Sequence, residues 1–193
     1  MSGSDAREDG ARLMAAIAAG DRAAMAALMD RHARGLRGVA ARYLGSEEEA
    51  EEIVQDAFLR AWRHAARYDP AKAAVSTWLY RITVNLCVDR RRRSAFRQFV
   101  GLEAAGGEEM LADPSPGAEA QLAARSQLAA ARGALLRLPA RQRMAILLSA
   151  VGELSTQEVA AVLETSQGSV EQLLVRARRR LREELNRAKD VTR

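Results

Sequence analysis

Apolar residues recur every third or fourth position through most of this chain, which is the period of an amphipathic helix. One clear example begins after Gly45, a residue type that commonly ends the preceding helix. Ser46 and Glu49 have the spacing of a capping box, which predicts a helix N-terminus. The stripe that follows predicts a core-facing helix to about Arg67 and consists of Ile53, Val54, Ala57, Phe58, Ala61 and Trp62.

Helical spacing also precedes this segment. It runs from Ala11, breaks at Gly20, and resumes after Asp21, which is placed to cap a second helix. On the other side, Pro70 disfavours helical geometry at the residue before it. Residues 68–75 are therefore predicted to form a loop.

The next helical segment has Ser76 or Thr77 as its predicted cap and ends in four consecutive arginines, Arg90–Arg93. Its apolar face would fix it to a core, while the charge at its end would face a polyanion. Together these segments predict an all-helical first domain over residues 11–96. Residues 1–10, which are polar and mixed in charge, are predicted to be disordered.

The character of the chain changes after the arginines. No Lys or Arg occurs between Gln98 and Ala124, whereas acidic, Gly and Pro residues are frequent. This composition predicts a flexible acidic linker over residues 97–120. A second helical domain is predicted over residues 121–189, with a tail at 190–193. The predicted fold class is therefore all-α, with two small helical domains joined by a flexible acidic linker.

The second domain contains a compact double-helix pattern. One helix begins at Leu138-Pro139 and ends before Gly152. Ser155 and Glu158 form a second capping box, which opens a short helix. A turn over 164–166 leads into a long basic helix from Gln167. Its apolar positions are Val170, Leu173, Leu174, Ala177, Leu181 and Leu185. A short helix, a tight turn and a long basic helix together predict a helix-turn-helix.

Composition supports a helical protein with an acidic partner. Of the 193 residues, 48% are apolar and 4% aromatic, and the charge of +5 with a pI near 10.1 favours nucleic acid. Cys87 is the single cysteine and is predicted to be buried. His32 and His64 are too separated for a triad or metal cluster. We therefore expect no enzyme activity, no cofactor and no metal. Without an apolar leader or spanning segment, the protein should be cytoplasmic, with no membrane insertion.

Two surfaces have competing interpretations. The arginine run exceeds the one or two cations that a helix dipole favours, so we predict phosphate contact over a merely solvated helix end. Beside it, Trp78 is expected to be at least partly core, and Tyr80 is left open. An acidic set predicts either a solvated face or a protein-docking face, because DNA would repel it. Its members are Glu47, Glu48, Glu49, Glu51, Glu52 and Asp56.

These residues resemble a known family. The run from Glu51 to Trp62 and the run from Ser76 to Arg93 are similar to region 2 of extracytoplasmic-function sigma factors. Leu-Pro-Ala-Arg-Gln-Arg143, Leu-Ser-Thr-Gln-Glu-Val-Ala160 and the run from Gly168 to Arg178 resemble their region 4. The match covers most of the chain in the right order, with a linker between the two parts.

The resemblance implies that the protein binds the core of bacterial RNA polymerase and directs it to promoter DNA. The polymerase contacts would be the clamp helices and the flap, and the clamp-helix contact would be made by Glu51, Glu52, Gln55, Asp56 and Leu59. The loop from Asp69 and the helix after it would read and melt the −10 element, with one base flipped into a pocket of the loop. The residues implied there are Asp69, Lys72, Ser76, Thr77, Trp78, Tyr80, Arg81, Asn85, Asp89, Arg90, Arg91, Arg92 and Arg93.

The resemblance also implies that the long basic helix enters the major groove at the −35 element. The residues implied are Ser155, Thr156, Gln167, Ser169, Glu171, Gln172, Val175, Arg176 and Arg179. Glu171 departs from the basic residue of many relatives, so it would accept from a cytosine amine rather than bind phosphate. The acidic linker would thread towards the RNA exit path, and an anti-sigma factor is an expected partner in a stress or envelope response.

Two alternatives stay open from the sequence. One is a sigma mimic that sequesters an anti-sigma factor without binding DNA. The other is a dimeric helix-turn-helix repressor that acts without polymerase. The sequence shows no clear dimer seam, so we expect a monomer when the protein is free.

Overall fold

The computed structural model describes the backbone of residues 3–99 and 118–191, and the side chains of residues 8–97 and 125–187. The helices within these ranges are α1 (Gly3–Ala18), α2 (Arg22–Leu44), α3 (Glu47–His64), α4 (Val75–Phe99), α5 (Ala118–Arg137), α6 (Ala140–Ala150), α7 (Thr156–Val162) and α8 (Gln167–Val191), with a short 3-10 helix at Ala65–Arg67. The residues that the structure describes contain no strand. The predicted all-α fold class is confirmed.

Helix α1 begins earlier than the sequence pattern predicts. The prediction of disorder over residues 1–10 was wrong for residues 3–10, which are helical. Two tertiary contacts explain the difference. A Cβ on Gly10 would lie 2.9 Å from Val75 Cγ1, so the helix lies close against α4. Asp9 accepts a hydrogen bond of 2.6 Å from Arg31. Polar composition alone does not reveal such anchors.

Helix ends follow the predicted capping only in part. Asp21 Oδ1 accepts from the backbone nitrogen of Ala23 at 2.8 Å, and Gly45 ends α2 with a left-handed φ of 86°. Ser46 Oγ accepts from the backbone nitrogen of Glu49 at 3.2 Å. The predicted cap of α4 was wrong, because the helix begins at Val75 and both Ser76 and Thr77 lie inside its first turn.

The core of the first domain lies where α2, α3 and α4 pack together. Phe58 is buried and Trp62 packs against the core, as the apolar stripe predicts. Cys87 is also buried, which confirms its predicted role as a small core residue. Burial raises the pKa of the Cys87 thiol to about 12. The thiol is therefore protonated and unreactive near neutral pH.

The second domain is built from α5 to α8, with α8 packed against α5, α6 and α7. The predicted capping box of α7 is confirmed by bonds in both directions. The backbone nitrogen of Ser155 donates to Glu158 at 2.9 Å, and that of Glu158 donates to Ser155 Oγ at 3.3 Å. Val170, Leu174 and Ala177 are buried, as expected for the inner face of α8.

The two domains pack against each other. Helix α2 contacts α5 and α6, α4 contacts α7, and buried apolar residues of both domains form one continuous cluster. The Arg143 guanidinium of α6 lies 4.8 Å from the ring centroid of Tyr43 in α2, a cation–π geometry.

The first residues of the predicted linker belong to α4 and its last to α5, while residues 100–117 lie outside the described part. Among the described residues, no helix combines the length and apolar character needed to cross a bilayer.

Candidate nucleic-acid interface

Helix α3 presents an acidic face to solvent. Its first turn packs Ala50 into the core, and the buried positions continue through Ile53, Val54 and Ala57. The opposite face carries every residue predicted to contact polymerase, all of them exposed: Glu51, Glu52, Gln55, Asp56 and Leu59. Leu59 is 45% exposed among these polar neighbours. An uncovered leucine beside carboxylates suits a partner surface that is both apolar and basic.

Arg90 is tied to this acidic face. Its guanidinium donates to Glu52 Oε2 at 2.8 Å and lies 3.4 Å from Glu49 Oε1. Hydrogen bonding to Glu52 raises the pKa of Arg90, as expected for a charge held by carboxylates. Its neighbours Arg91, Arg92 and Arg93 are exposed. The arginine run therefore divides into one residue that joins α4 to α3 and three that face solvent.

The loop before α4 is ordered by local contacts. Tyr68 donates from its hydroxyl to the Ala73 carbonyl at 3.0 Å, and its ring lies 5.6 Å from that of Trp78. Asp69 Oδ1 accepts from the backbone nitrogen of Ala71 at 3.0 Å. Lys72 Nζ lies 3.4 Å from the Asp69 carboxylate. These contacts hold the loop in a defined conformation.

The predicted −10 residues of α4 fall into two groups. Thr77 and Tyr80 are 3% and 6% exposed, so the helix turns them inward. Trp78 is half-buried against the core, which confirms the expectation for this residue. The exposed group lies towards the C-terminal half of the helix and consists of Asn85, Asp89, Arg91, Arg92 and Arg93. Only this second group is available to a nucleic acid in the present arrangement.

Tyr80 and Arg81 contact the second domain. Burial raises the pKa of Tyr80 to about 12, with a smaller contribution from Glu153. Arg81 donates to the Ala161 carbonyl at 2.6 Å, and its Nε lies 3.8 Å from Glu164. Ala161 is in the last turn of α7, where carbonyls lack partners within the helix and favour a cation. The structure thus gives Arg81 a helix-capping contact across the domain boundary.

The helix-turn-helix is completed by Ser166 at the start of α8. Its Oγ accepts from the backbone nitrogen of Ser169 at 3.2 Å and lies 2.9 Å from Ser169 Oγ. Glu164 in the turn has a φ of 50°, a left-handed conformation that turns the chain sharply between α7 and α8. The turn and the cap together fix the angle at which α8 leaves the domain.

The outer face of α8 is exposed to solvent. Every predicted −35 residue of this helix is exposed, namely Gln167, Ser169, Glu171, Gln172, Val175, Arg176 and Arg179. Arg176 donates to Gln172 Oε1 at 3.2 Å, so the two side chains orient each other. Val175 is 64% exposed, although it is apolar. On α7, Ser155 is exposed but its hydroxyl is engaged with Glu158, and Thr156 is half-buried.

Several important residues had no clear sequence signal. Arg143 is 2% exposed, and its guanidinium donates to the Leu136 carbonyl at 3.2 Å. Burial lowers the pKa of Arg143. The ring of His32 is half-buried rather than fully on the surface, and its Nε2 has no hydrogen-bond partner among the residues that the structure describes. Burial, reinforced by Arg31, lowers the pKa of His32. The burial of these side chains depends on tertiary packing, which local spacing cannot predict. No cluster of His, Cys, Asp or Glu within the described residues could hold a metal ion.

The fold and these surfaces define a two-domain helical protein with an acidic docking face and a helix-turn-helix, which is the arrangement of a transcription factor. Comparison with known proteins identifies the class. The family model for Sigma-70 region 2 matches residues 28–97, and the model for Sigma-70, region 4 matches residues 128–181.

Curated relatives agree across nearly the whole chain. The chain is 37% identical to the RNA polymerase sigma factor CnrH of Cupriavidus metallidurans over 182 residues, covering 90% of this chain and 93% of the relative. It is 38% identical to the ECF RNA polymerase sigma factor SigM of Mycobacterium tuberculosis over 173 residues, covering 89% of this chain and 82% of the relative.

Solved structures are also similar. CnrH in complex with the cytosolic domain of CnrY matches with a TM-score of 0.67 and 27% identity, covering 92% of this chain and 97% of that one. The sigma factor RpoE of Bartonella quintana, in complex with the anti-sigma factor NepR, matches with a TM-score of 0.60 and 25% identity, covering 78% and 89% of the two chains. The chain belongs to the extracytoplasmic-function sigma factor family.

Proposed function

We propose that this sigma factor binds the core of bacterial RNA polymerase through the acidic face of α3 and reads promoter DNA with α4 and α8. The exposed acidic face of α3 with Leu59 at its centre carries the proposal. This face combines uncovered apolar area with negative charge on a basic protein. DNA would be repelled there, whereas a basic and apolar helix pair such as the polymerase clamp helices would be attracted.

The −10 element is proposed to contact the loop from Asp69 and the exposed part of α4. Arg91, Arg92 and Arg93 are exposed cations, which suits phosphate contact. Arg90 instead acts as a positioning residue, because its bonds to Glu49 and Glu52 fix the docking helix against α4. The arginine closest to the protein core thus links the polymerase surface to the DNA surface.

The −35 element is proposed to contact the outer face of α8. Gln172 presents an amide that pairs well with adenine, and Arg176 beside it pairs well with guanine. Val175 supplies an apolar contact for a thymine methyl group. Glu171 accepts from a cytosine amine and cannot neutralise a phosphate. Arg179, one turn further along, contacts the backbone.

An anti-sigma factor is the proposed regulator. Two similar sigma factors are known in complex with such proteins or with a partner's cytosolic domain. The exposed docking face of α3 offers the same contact to an inhibitor as to polymerase, so the two partners would compete. This assignment places the protein in the cytoplasm, where polymerase is found.

The decisive test is reconstitution with core polymerase and a cognate promoter. We expect core binding and promoter-dependent transcription by the wild-type chain. Leu59→Glu should lower the affinity for core at least tenfold, because it replaces an apolar contact with a carboxylate that binding would desolvate. Met29→Glu is the matched control, since Met29 is 41% exposed on α2 and Leu59 is 45% exposed. Equal affinities for the two variants would refute docking through α3. Anti-sigma binding without core binding would instead identify a sigma mimic.

A further inference from the structure

Helix α4 carries an exposed aromatic side chain that the proposed function does not use. Phe96 is 65% exposed and lies close to the C-terminal end of the helix. Its neighbours in the sequence are cationic, since residues 90–97 include Arg90–Arg93 and Arg97 but no Asp or Glu. An aromatic ring that remains in water among cations suits a partner that is a polyanion and presents apolar groups between its charges. Double-stranded DNA has both properties.

Phe96 belongs to the face of α4 that is already proposed to contact the −10 element. Asn85, Asp89, Arg92 and Phe96 follow one another at intervals of four, three and four positions, which is the spacing of a single helix face. All four side chains are exposed. Buried residues of the helix, such as Cys87, lie on the opposite side. Phe96 therefore continues the outer face of α4 beyond the residues named above.

The position of Phe96 along the helix indicates which part of the DNA it meets. Asn85 and Phe96 are eleven positions apart. At about 1.5 Å per residue they are separated by about 16 Å along the axis, which spans about five base pairs at about 3.4 Å each. Asn85 is the closer of the two to the loop at 68–75, where a displaced base is proposed to bind. Phe96 thus lies at the opposite end of the contact, where the DNA remains duplex.

Base pairing at that end limits what the ring can reach. The flat faces of paired bases are covered by the neighbouring base pairs, so the groove presents only base edges. The apolar group among these edges in the major groove is the C5-methyl of thymine, and phenylalanine is one of the side chains that contact it. The chain leaves α4 towards the domain that is proposed to read the −35 element. This duplex therefore lies on the upstream side of the −10 element.

We propose that Phe96 is a specificity-determining residue, whose ring contacts the methyl group of a thymine in the duplex immediately upstream of the −10 element. Arg92 and Arg93 contact the adjacent phosphates and fix the position of the helix on the DNA. The inference rests on the proposed function and extends its −10 contact to a further base pair. The contact differs from stacking on an unpaired base, because a paired thymine is read through its methyl group.

Removal of the methyl group alone tests this contact. The probe is a promoter that the holoenzyme recognises, in which each base pair next to the upstream end of the −10 element carries in turn a thymine or a deoxyuridine on either strand. Deoxyuridine lacks the methyl group and keeps the hydrogen-bonding groups of thymine. At one position we expect the wild-type holoenzyme to bind the thymine probe about threefold to fivefold more tightly, which is the effect of burying about one methyl group.

Variants of Phe96 assign this preference to the ring. Phe96→Ala should abolish the difference between the two probes and leave the affinity for core unchanged, because the ring contacts DNA. Phe96→Leu should keep part of the difference, since leucine is still apolar. Leu128→Ala is the matched control, because Leu128 is also an exposed apolar residue, at 73%, and lies on α5, away from the proposed DNA surfaces. This control should retain the full preference for thymine.

The outcomes separate the inference from the function on which it rests. If the holoenzyme transcribes from the promoter but binds thymine and deoxyuridine equally at every position, Phe96 reads no methyl group and only the inference fails. A lower affinity of Phe96→Ala for core in the absence of DNA, with the thymine preference intact, would assign the ring to a protein contact and also overturn it. If the wild-type chain does not bind core, the proposed function fails and the inference falls with it.

Discussion

Helices α4 and α8 are both proposed to contact promoter DNA, yet they differ in how much of that surface is available. On α8 every candidate residue is exposed, and Val170, Leu174 and Ala177 are buried on the inner face. On α4 the candidates begin inside the protein, where Thr77 and Tyr80 are buried, and become exposed only towards its C-terminal half. The two helices occupy different environments despite their similar length and charge.

The difference suggests two modes of reading DNA. An exposed, rigid helix such as α8 suits intact duplex, whose major groove admits a helix without rearrangement. A helix whose first half is packed into a core, as in α4, suits DNA that is already distorted, with bases delivered to a preformed loop. The outer face of α8 is thus available to a ligand, whereas the first half of α4 is covered by its surroundings.

The largest expected effect concerns burial along the two helices. Leu79 of α4 is fully buried, and Leu79→Ala should lower the free energy of unfolding by about 2–5 kcal/mol, because it leaves a cavity. Val175 of α8 is 64% exposed, and Val175→Ala should change the free energy of unfolding by less than about 0.5 kcal/mol. Urea unfolding followed by circular dichroism measures both values. Similar losses for the two variants would remove the structural contrast between the helices.

A second expected effect concerns phosphate contacts. Replacing Arg91, Arg92 and Arg93 together by alanine should lower the salt slope of promoter binding by the holoenzyme by about 2–3 units, at about 0.9 per lost contact with duplex. The control is a triple variant with the same charge change away from both proposed surfaces, in which the exposed residues Arg12, Arg22 and Arg125 become alanine. Titration against salt provides the slopes. Matching slopes in the two triple variants would mean that only net charge matters.

Arg90 sharpens the same comparison. Because its guanidinium is bound to Glu49 and Glu52, Arg90→Ala should leave the salt slope within about 0.3 unit of wild type, less than one full phosphate contact. The affinity of the Arg90→Ala variant for the polymerase core should fall, since Glu52 loses the partner that orients it. Arg90→Lys should restore core binding in part, because lysine keeps the charge without the bidentate geometry. A slope change of a full unit would assign Arg90 to DNA after all.

Sequence reasoning succeeded where the signal is local. Capping at Asp21 and Ser155, the turn before Gln167 and the inner face of α8 depend on spacing within a few residues, and the structure confirms them. It failed at the start of α1, where helix formation depends on Gly10 meeting Val75, more than sixty positions away in the chain.

Contacts between domains were also beyond prediction. Arg81 bonds a carbonyl that lies eighty residues away in the sequence, and no periodicity marks such a pair. The partners of Arg90 could not be predicted either, because Glu49 and Glu52 belong to another helix. The sequence identifies the charged residues of the candidate site, whereas the fold determines which of them remain available.

A smaller and more selective effect is expected at the −35 element. Gln172→Ala should reduce discrimination at one base pair of the promoter by about 1–3 kcal/mol. Discrimination at the other base pairs should stay unchanged. Arg176 loses its bond to the Gln172 carbonyl group, so a weaker effect at the adjacent base should accompany it. Binding to a set of single-base variants of the promoter measures both. Gln157→Ala, an exposed glutamine on α7, is the control. A uniform loss at all bases would exclude direct base reading by Gln172.

The smallest expected effect is a pH dependence that reports on the buried half of α4. The pKa of Tyr80 is raised from 10.0 to about 12, so the folded state keeps a proton that the unfolded state loses above pH 10. Stability from this group is therefore fully present below pH 10 and is lost as the pH rises towards 12. The urea midpoint of wild type should fall more steeply over this window than that of Tyr80→Phe, which cannot ionise there. Parallel curves would contradict burial of the hydroxyl.

The same titration distinguishes burial within region 2 from burial by the second domain. Tyr80 lies between Gly35 of its own domain and Gly152 of the other. Glu164→Arg places a cation beside Arg81 of the first domain and should weaken the contact between the domains. If domain packing supplies much of the burial, this variant should flatten the pH dependence of wild type towards that of Tyr80→Phe. If the dependence survives in Glu164→Arg, contacts within the first domain keep the hydroxyl from water. In that case the contrast between α4 and α8 is a property of the domains themselves.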